Sequence, residues 1–225
     1  MAIKHIFFDL DHTLWDFEVN SEKAYAVCFK LHDIKLDFQD FMSKYRPINL
    51  NYWKLYREEK VTKKDLKYGR LKDTFEAMNY SLSDDLLCQI AEDYLVHLPK
   101  FNQLFEGTFE VLDYLVEKYT LHIITNGFQE IQSHKMKQSG LEKYFDQFIT
   151  SESVGVNKPN PRVFQYALKM AKAEAHESMM IGDNFEADIE GAINVGMQAI
   201  HFNPTNNPLK KNTEIEKLLE LFKYL

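Results

Sequence analysis

Two acidic residues near the N-terminus, separated by a single residue, lie at the end of an apolar run. Asp9 and Asp11 follow the segment IFF at positions 6–8, which is typical of a buried strand. Residues i and i+2 of a strand point to the same side, so both carboxylates are expected to face one site. One carboxylate could attack phosphorus as a nucleophile, and the other could transfer protons. The same Asp-x-Asp pattern also occurs in surface turns, where an aspartate caps the local backbone.

Two further segments carry polar residues where predicted strands end. Thr125 and Asn126 close the segment IITN, and a hydroxyl and amides at a strand-to-helix turn can bind a phosphate oxygen. Lys158 precedes Pro159, which disfavours helix at the lysine and keeps it in a loop. The ordinary alternatives are a helix start for Thr-Asn-Gly and a solvated surface lysine.

A fourth segment, MMIGDNFEADIEGA, ends a strand with Gly182 and Asp183. Asp183 could bind a metal, and Asp188 falls in the first turns of the next helix, where an acid also complements the helix dipole. All four segments lie at or just beyond the carboxyl ends of predicted strands, which a parallel sheet gathers at one edge. A Mg²⁺ ion among these carboxylates would offset their mutual repulsion.

The elements that must position these residues change in character along the chain. Strand–helix alternation after Gly107 predicts an α/β fold with a doubly wound parallel sheet and helices on both faces. The stretch before Pro99 shows helical periodicity without a convincing strand. We therefore expect an α/β core of residues 1–16 and 100–225, interrupted after its first strand by an all-helical insertion at 17–99.

Local signals predict where individual helices begin and end. Ser21 is the candidate N-cap of the first inserted helix, and Thr62 with Asp65 is close to a capping box. Pro47 should break or bend the second helical stretch. The segment at 212–225 is predicted to form a final helix.

The bulk composition excludes several classes of protein. The chain has 225 residues, of which 45% are hydrophobic and 27% are charged, with a formal net charge of -7. This composition is typical of a globular protein and offers no basic face for a nucleic acid polymer. No apolar run is long enough to cross a membrane, and the two cysteines predict no disulfide framework. We expect a cytoplasmic protein whose partner is a small molecule, and no feature indicates an oligomeric state.

In order and spacing, the four segments resemble the motifs of the haloacid dehalogenase superfamily. The resemblance is carried by DLDHTL at 9–14, TNG at 125–127, the Lys158–Pro159 pair, and Gly182-Asp183 with Asp188 beyond. It covers the whole core, and the helical insertion is similar to the superfamily's type-1 cap. The resemblance implies that Asp9 is the nucleophile, which forms an aspartyl-phosphate. Asp11 would be the general acid for the leaving group and then the base for water.

The resemblance also implies phosphate and metal ligands. The phosphate ligands would be Thr125, Lys158 and the backbone of Asn126. The Mg²⁺ ligands would be Asp9, the backbone carbonyl of Asp11 and Asp183, with Asp188 in support. One departure from the pattern is His12, where Gly, Asn or Asp is commoner. Asp11 indicates a phosphatase rather than a dehalogenase, because an alkoxide leaving group gains about 10² to 10⁴ in rate from an acid and a halide needs none.

The chain around TNGF and SESVGVNKPNPRVFQYAL is similar to the bacterial subgroup that hydrolyses pyrimidine nucleoside 5′-monophosphates. The resemblance implies a small-molecule phosphate monoester as substrate, with UMP, dUMP and dTMP as candidates. The same core also serves sugar-phosphate phosphatases, phosphoglycolate phosphatase and a phosphoglucomutase. A receiver-like phosphoacceptor domain and a non-catalytic binding module are the alternatives from other classes.

Aromatic residues near the predicted site and in the insertion are candidates for substrate specificity, since a base could stack on them. Trp15 is the first candidate because it lies beside the catalytic loop. The candidates within the insertion are Tyr45, Tyr52, Trp53, Tyr56 and Arg70. For each of them the ordinary alternative is a place in the core of the helices.

Overall fold

Six strands form one parallel sheet in a computed structural model that describes residues 2–204 and 213–225. The strands are β1 (His5–Phe8), β2 (Thr120–Thr125), β3 (Gln147–Thr150), β4 (Ser178–Gly182), β5 (Gln198–Phe202) and β6 (Thr213–Ile215). Their order is β3-β2-β1-β4-β5-β6, so the strand order reverses between β1 and β4. This order confirms the predicted doubly wound α/β sheet, and ligands bind such sheets at the reversal point.

Helices flank the sheet and also form a unit of their own. The α-helices are α1 (Phe17–Leu31), α2 (Phe38–Arg57), α3 (Lys63–Ala77), α4 (Asp84–His97), α5 (Thr108–Val116), α6 (Gln129–Gln138), α7 (Ser151–Val154), α8 (Pro161–Ala171) and α9 (Gly191–Asn194). A π-helical segment, Phe185–Glu190, precedes α9. The chain divides into two compact units, Met1–Glu18 with Asn102–Leu225, and Val19–Phe101. Among the described residues, no helix combines the length and apolar character needed to cross a bilayer.

Strand β1 is buried on both faces of the sheet. Ile6, Phe7 and Phe8 have no exposed surface. Phe7 belongs to an apolar cluster that joins β2, β3 and β4 to α8, where Phe164 is a central member. Strand alternation turns Ile6 and Phe8 to the opposite face. Burial on both faces explains the continuous apolar run that carries the chain to Asp9.

The helical unit has an aromatic core. The ring of Phe41 lies 5.4 Å from that of Tyr25 and 5.2 Å from that of Phe75, measured between centroids. Helix α3 begins with the predicted capping box, in which Thr62 and Asp65 each accept a hydrogen bond from the other's backbone N–H. Packing of the helices against this aromatic core, more than helix propensity, stabilises helices of this length.

The predicted start of the first inserted helix is wrong. Helix α1 begins at Phe17 rather than after Ser21, whose Oγ lies 3.0 Å from the hydroxyl of Tyr94 in the buried interior. Helix α2 continues through Pro47, so it does not break there, and the alternative of a bend stays a prediction; residues on both sides of the proline are buried. In both places tertiary packing outweighs the local signal for a helix boundary.

The predicted final helix at 212–225 is also wrong. Its first residue lies outside the described residues, Thr213–Ile215 forms β6, and Leu218–Lys223 forms a 3₁₀ helix. Strand β6 pairs in parallel with β5 from Ile200 to Phe202. This pairing satisfies backbone groups of β5 that a helix at this position would leave unpaired.

Candidate active site

The predicted site residues meet at the carboxyl edge of the central strands. Asp9 follows β1, Asn126 follows β2 and Asp183 follows β4. The backbone N–H of Asp9 donates to the carbonyl of Ile181 at 2.9 Å, which extends the β1–β4 ladder past the end of β1. The edge next to the strand reversal therefore brings together the residues that the sequence analysis singled out, and their chemical roles stay predictions.

Lys158 joins the four sequence segments. Its ammonium lies 2.7 Å from Asp9 Oδ1 and 2.6 Å from Asp188 Oδ1, and it donates to the carbonyl of Ile124 at 2.7 Å. The lysine is 2% exposed. Burial by itself lowers the pKa of Lys158, but the carboxylates of Asp188 and Asp9 outweigh burial and raise the pKa above its usual value. The neighbouring carboxylates thus favour the charged form of this buried lysine.

Asn126 fixes the loop that carries Lys158. The Asn126 side chain donates to the carbonyl oxygen of Lys158 at 3.1 Å and accepts from its backbone N–H at 2.8 Å. Next to it, Thr125 Oγ1 accepts from the backbone N–H of Gly127 at 3.1 Å. The Asn126 side chain therefore positions the lysine, and the phosphate contact through the Asn126 backbone stays a prediction.

Three carboxylates form a cluster that fits a divalent cation. Asp9, Asp183 and Asp188 each offer one oxygen within 4.8 Å of the others. Burial raises the pKa of Asp9 well above its usual value in spite of the Lys158 charge. Burial, reinforced by the charge of Asp188, raises the pKa of Asp183 to about 8. One ammonium among three carboxylates leaves an excess of negative charge, and hard oxygen donors are the ligands that Mg²⁺ prefers.

The approach of Asp188 to this cluster depends on a glycine. A β-carbon on Gly182 would overlap the Asp188 carboxylate. Asp188 lies in the π-helical segment, and its Oδ2 accepts from the backbone N–H of Asn184 at 3.0 Å. A π-helical turn is rare and is frequent at functional sites. The Gly-Asp pair thus supplies one candidate metal ligand directly and makes room for the carboxylate of Asp188.

Asp183 is held from the side by β5. His201 Nε2 lies 2.8 Å from the carbonyl oxygen of Asp183, and its Nδ1 lies 3.0 Å from Glu214 of β6. Thr13 Oγ1 contacts Asp183 Oδ1 at 3.4 Å. Sequence reasoning missed His201, because its position in an apolar strand carries no local signal of function.

The carboxylate of Asp11 is bound by helix α6. Lys135 Nζ lies 2.6 Å from Asp11 Oδ1, and Gln132 Nε2 donates to Asp11 Oδ2 at 3.0 Å. Gln132 Nε2 also donates to Thr125 Oγ1 at 2.7 Å. Burial lowers the pKa of Lys135 in spite of the Asp11 charge. The structure thus adds two residues to the site.

Sequence reasoning missed both α6 residues, although one signal was present. The helix segment QEIQSHKMKQ has no apolar stripe, so some polar residues must lie on its packed face. Gln132 and Lys135 are three positions apart and share a face. Together with Met136 they are the buried residues of α6.

Trp15 and His12 lie in the turn beside Asp11. Trp15 is fully buried, and its ring centroid lies 4.0 Å from Lys135 Nζ. His12 has a φ of 63°, in the left-handed region that Gly and Asn adopt most readily. This backbone conformation accounts for the Gly, Asn or Asp that the superfamily motif more often has at the position of His12. The His12 ring packs against Phe17 at 4.9 Å between centroids.

The specificity candidates of the insertion contact their own unit. Tyr45 and Arg70 are buried, and Arg70 donates to Asn49 at 2.8 Å. The guanidinium also lies 5.9 Å from the Tyr45 ring centroid. The partly exposed members are Tyr52, Trp53 and Tyr56.

Comparison with known proteins identifies the family. The model of the haloacid dehalogenase-like hydrolases matches residues 3–196. The chain belongs to the haloacid dehalogenase-like hydrolases. Membership in this hydrolase family confirms the predicted resemblance to the superfamily.

Three curated relatives of this dehalogenase-like hydrolase share the same percentage of identical residues with it. Pyrimidine 5′-nucleotidase PynA of Streptococcus pneumoniae is 31% identical over 100% of this chain and 93% of its own. Pyrimidine 5′-nucleotidase YjjG of Escherichia coli is 31% identical over 88% of this chain and 85% of its own. A glyceraldehyde 3-phosphate phosphatase of Methanothermobacter thermautotrophicus is 31% identical over 89% of this chain and 86% of its own.

A solved structure supports the assignment over the full length. The putative hydrolase YfnB of Bacillus subtilis, bound to magnesium, superposes with a TM-score of 0.91 and 28% identity, covering 100% of this chain and 99% of that one. That crystal form is described as revealing interdomain movement.

Proposed function

We propose that this protein is a Mg²⁺-dependent phosphatase that hydrolyses pyrimidine nucleoside 5′-monophosphates through an aspartyl-phosphate. The observation that carries the proposal is the buried cluster in which Lys158 joins Asp9 and Asp188 at the carboxyl edge of the sheet. Asp9 and Lys158 are 149 residues apart in sequence, so the cluster is a product of the fold rather than of local charge pairing.

In the first step Asp9 attacks the phosphorus atom of the ester. A new bond forms between its carboxylate oxygen and phosphorus, and the bond from phosphorus to the ester oxygen breaks. The leaving oxygen takes the electron pair and receives a proton from Asp11, which acts as the general acid. Lys158 neutralises negative charge on the transferring group, and Thr125 and the Asn126 backbone bind its oxygens.

In the second step a water molecule attacks the aspartyl-phosphate at phosphorus. Asp11 now takes the proton of the water, and the bond from phosphorus to Asp9 breaks to release inorganic phosphate and the free carboxylate. The same two aspartates therefore serve both steps, which needs Asp11 within reach of both oxygens.

The acidic residues of the site would hold the metal. Asp9, Asp183 and the backbone carbonyl of Asp11 are the proposed ligands, with Asp188 in support. When bound, Mg²⁺ supplies the positive charge that lets a carboxylate approach an anionic phosphate.

Two relatives named pyrimidine 5′-nucleotidases support UMP, dUMP and dTMP as substrates, because the PynA alignment spans this whole chain. The helical unit, Val19–Phe101, is proposed to act as the cap that selects among phosphate esters. Trp15 is proposed to influence specificity only through the turn that it supports, since its ring is fully buried.

A sugar-phosphate phosphatase is the second candidate. The glyceraldehyde 3-phosphate phosphatase relative is as identical to this chain as the two nucleotidases are. Phosphoglycolate phosphatase and phosphoglucomutase activities are further alternatives on the same core.

The test is Mg²⁺-dependent phosphate release across nucleotides, triose and hexose phosphates and phosphoglycolate. We expect pyrimidine monophosphates to give the highest kcat/KM, with purine monophosphates at least about 10-fold lower. Indifference to the base would contradict the nucleotidase proposal, and a preference for triose phosphate would support the second candidate.

The first prediction concerns the nucleophile. Asp9→Asn should lower phosphate release from every ester by at least about 10⁴-fold, because an amide cannot form the covalent intermediate. Circular dichroism should show an unchanged fold. Undiminished turnover in a folded Asp9→Asn protein would refute the mechanism.

A further inference from the structure

Helix α6 supplies a clamp on Asp11, formed by Gln132 and Lys135. Each of the two residues contacts a different oxygen of the Asp11 carboxylate, at 3.0 Å for Gln132 and 2.6 Å for Lys135. Both clamp residues are 1% exposed. Two anchored oxygens leave the carboxylate little freedom to rotate about its terminal torsion, which is otherwise broad.

Aromatic rings around Lys135 hold its ammonium group in place for the contact with Asp11. A buried lysine is rare unless paired, and Lys135 lies between the Asp11 carboxylate and the faces of two aromatic rings. Its ammonium is 4.0 Å from the ring centroid of Trp15 and 5.3 Å from that of Phe17. The rings exclude water and attract the cation, so the ammonium is directed at Asp11.

Gln132 extends the clamp to the phosphate-binding side. Its Nε2 donates to Asp11 Oδ2 and, at 2.7 Å, to Thr125 Oγ1. When Asp11 is ionised, as it must be to take the proton of the water, its oxygens can only accept, so the amide nitrogen rather than the amide oxygen faces it. Gly127 makes room for this side chain, because a β-carbon there would overlap it.

We propose that Lys135 and Gln132 are positioning residues that orient the carboxyl group of Asp11 for proton transfer to and from the reacting oxygens. The inference rests on the proposed function, since it assigns a role in the same phosphatase site. On this proposal Lys135 acts through Asp11, and Gln132 acts through Asp11 and Thr125, without either residue contacting the substrate.

The proposal predicts an effect that depends on the leaving group. An alkoxide, such as the nucleoside 5′-oxygen, needs the proton from Asp11, whereas p-nitrophenolate leaves readily without it. Lys135→Met should lower kcat/KM for UMP by about 10²-fold and that for p-nitrophenyl phosphate by less than about 5-fold. If UMP is not a substrate, the best alkyl phosphate of the panel takes its place.

Epistasis with Asp11 is the second readout. In an Asp11→Asn background, Lys135→Met should cause less than about a 3-fold further loss, because the group that it positions is already absent. Lys135→Arg, which keeps the charge, should restore part of the UMP activity. Gln132→Leu also removes the hydrogen bond to Thr125, so it should lower kcat/KM for both esters, with the larger loss on UMP, and it serves as the alternative if Lys135→Met does not fold.

Lys137→Met is the matched control, since Lys137 is an exposed lysine on the same helix. It should leave both kcat/KM values within about 2-fold of wild type. Equal losses on the two esters, or a full additional loss in the Asp11→Asn background, would overturn the positioning role. Absence of Mg²⁺-dependent release by the wild-type protein from any ester would instead refute the proposed function.

Discussion

Lys158 and Lys135 are two buried ammonium groups with different surroundings. Lys158 faces two carboxylates and a backbone carbonyl, whereas Lys135 faces one carboxylate and aromatic rings. These surroundings raise the pKa of Lys158 and lower that of Lys135. Paired carboxylates hold the first charge firmly, and the second is stabilised mainly by Asp11. The two buried lysines of the site therefore differ in pKa because their immediate neighbours differ.

His122 gives the molecule a predicted acid sensitivity outside the site. Burial, assisted by the neighbouring His5 and opposed by the charge of Asp146, lowers the pKa of His122 to about 4. Its Nε2 lies 3.1 Å from His5 Nδ1, and its ring stacks on Phe7. Because the unfolded chain binds the proton more readily, the free energy of unfolding should fall as pH drops from about 6.5 to about 4, by up to about 1.4 kcal/mol per unit.

Urea unfolding between pH 7.5 and pH 4 measures this dependence. His122→Phe keeps an aromatic ring against Phe7 and removes the titrating group, so it should flatten the pH dependence of stability. His134→Phe, at an exposed position of α6, is the control and should leave the slope unchanged. A slope identical in wild type and His122→Phe would contradict the assignment.

At the scale of elements, strand ends and the turns after them decide what reaches the site. Strand β4 ends at Gly182, and the π-helical segment brings Asp188 back over that glycine. Strand β2 ends at Thr125, and the next turn of chain brings Gln132 to its hydroxyl. Both arrangements depend on a glycine that allows close approach of a polar side chain.

Gly182→Ala tests this dependence. The added methyl group should displace the Asp188 carboxylate, lower Mg²⁺-dependent activity by at least about 10-fold and reduce stability by about 1–3 kcal/mol. Gly140→Ala is the matched control, because a β-carbon there meets nothing within 4 Å while its φ of 74° is unfavourable for alanine. The control should lose stability but retain activity, and equal activity in both variants would argue against the role of Gly182.

At the scale of the whole molecule, the parallel sheet converts distant sequence segments into one site. In the order β3-β2-β1-β4-β5-β6, the strand order reverses beside β1, and Asp9 directly follows this strand. The position of β1 between β2 and β4 brings the ends of those two strands to either side of Asp9. Burial and the mutual repulsion of the three clustered carboxylates raise the pKa of Asp9 and of Asp183, so folding of the metal-free protein works against their ionisation.

Mg²⁺ should therefore stabilise the folded protein as a whole. At about 100 times its Kd, a ligand that binds only the native state adds about 2.7 kcal/mol, which thermal unfolding would detect as a rise in Tm. Asp183→Asn should abolish the rise and, without Mg²⁺, be at least as stable as wild type because one repelling carboxylate is gone. Glu142→Gln removes an exposed acid and should keep the full response. A full Mg²⁺ response in Asp183→Asn would exclude Asp183 as a ligand.

Several features were predictable because their causes are local. The Thr62–Asp65 capping box depends on residues three positions apart, and the apolar run before Asp9 reflects burial of one short strand. The continuation of α2 through Pro47 and the strand at Thr213–Ile215 were not predictable. In both cases a neighbouring element supplies packing or backbone partners that the segment itself does not encode.

Apart from the C-terminal segment, the alternation of strands and helices in the core could be read from the chain, as could the acidic, amide and lysine residues placed at strand ends, because periodicity and turn chemistry act over a few residues. The partners of each charged group required the folded molecule. Asp11 meets Lys135 across 124 positions, and Lys158 meets Asp9 across 149. Contacts between residues so far apart in sequence depend on how whole elements pack. The sequence of α6 indicates that polar residues lie on its packed face, but only the folded molecule shows that their partner is the carboxylate of Asp11.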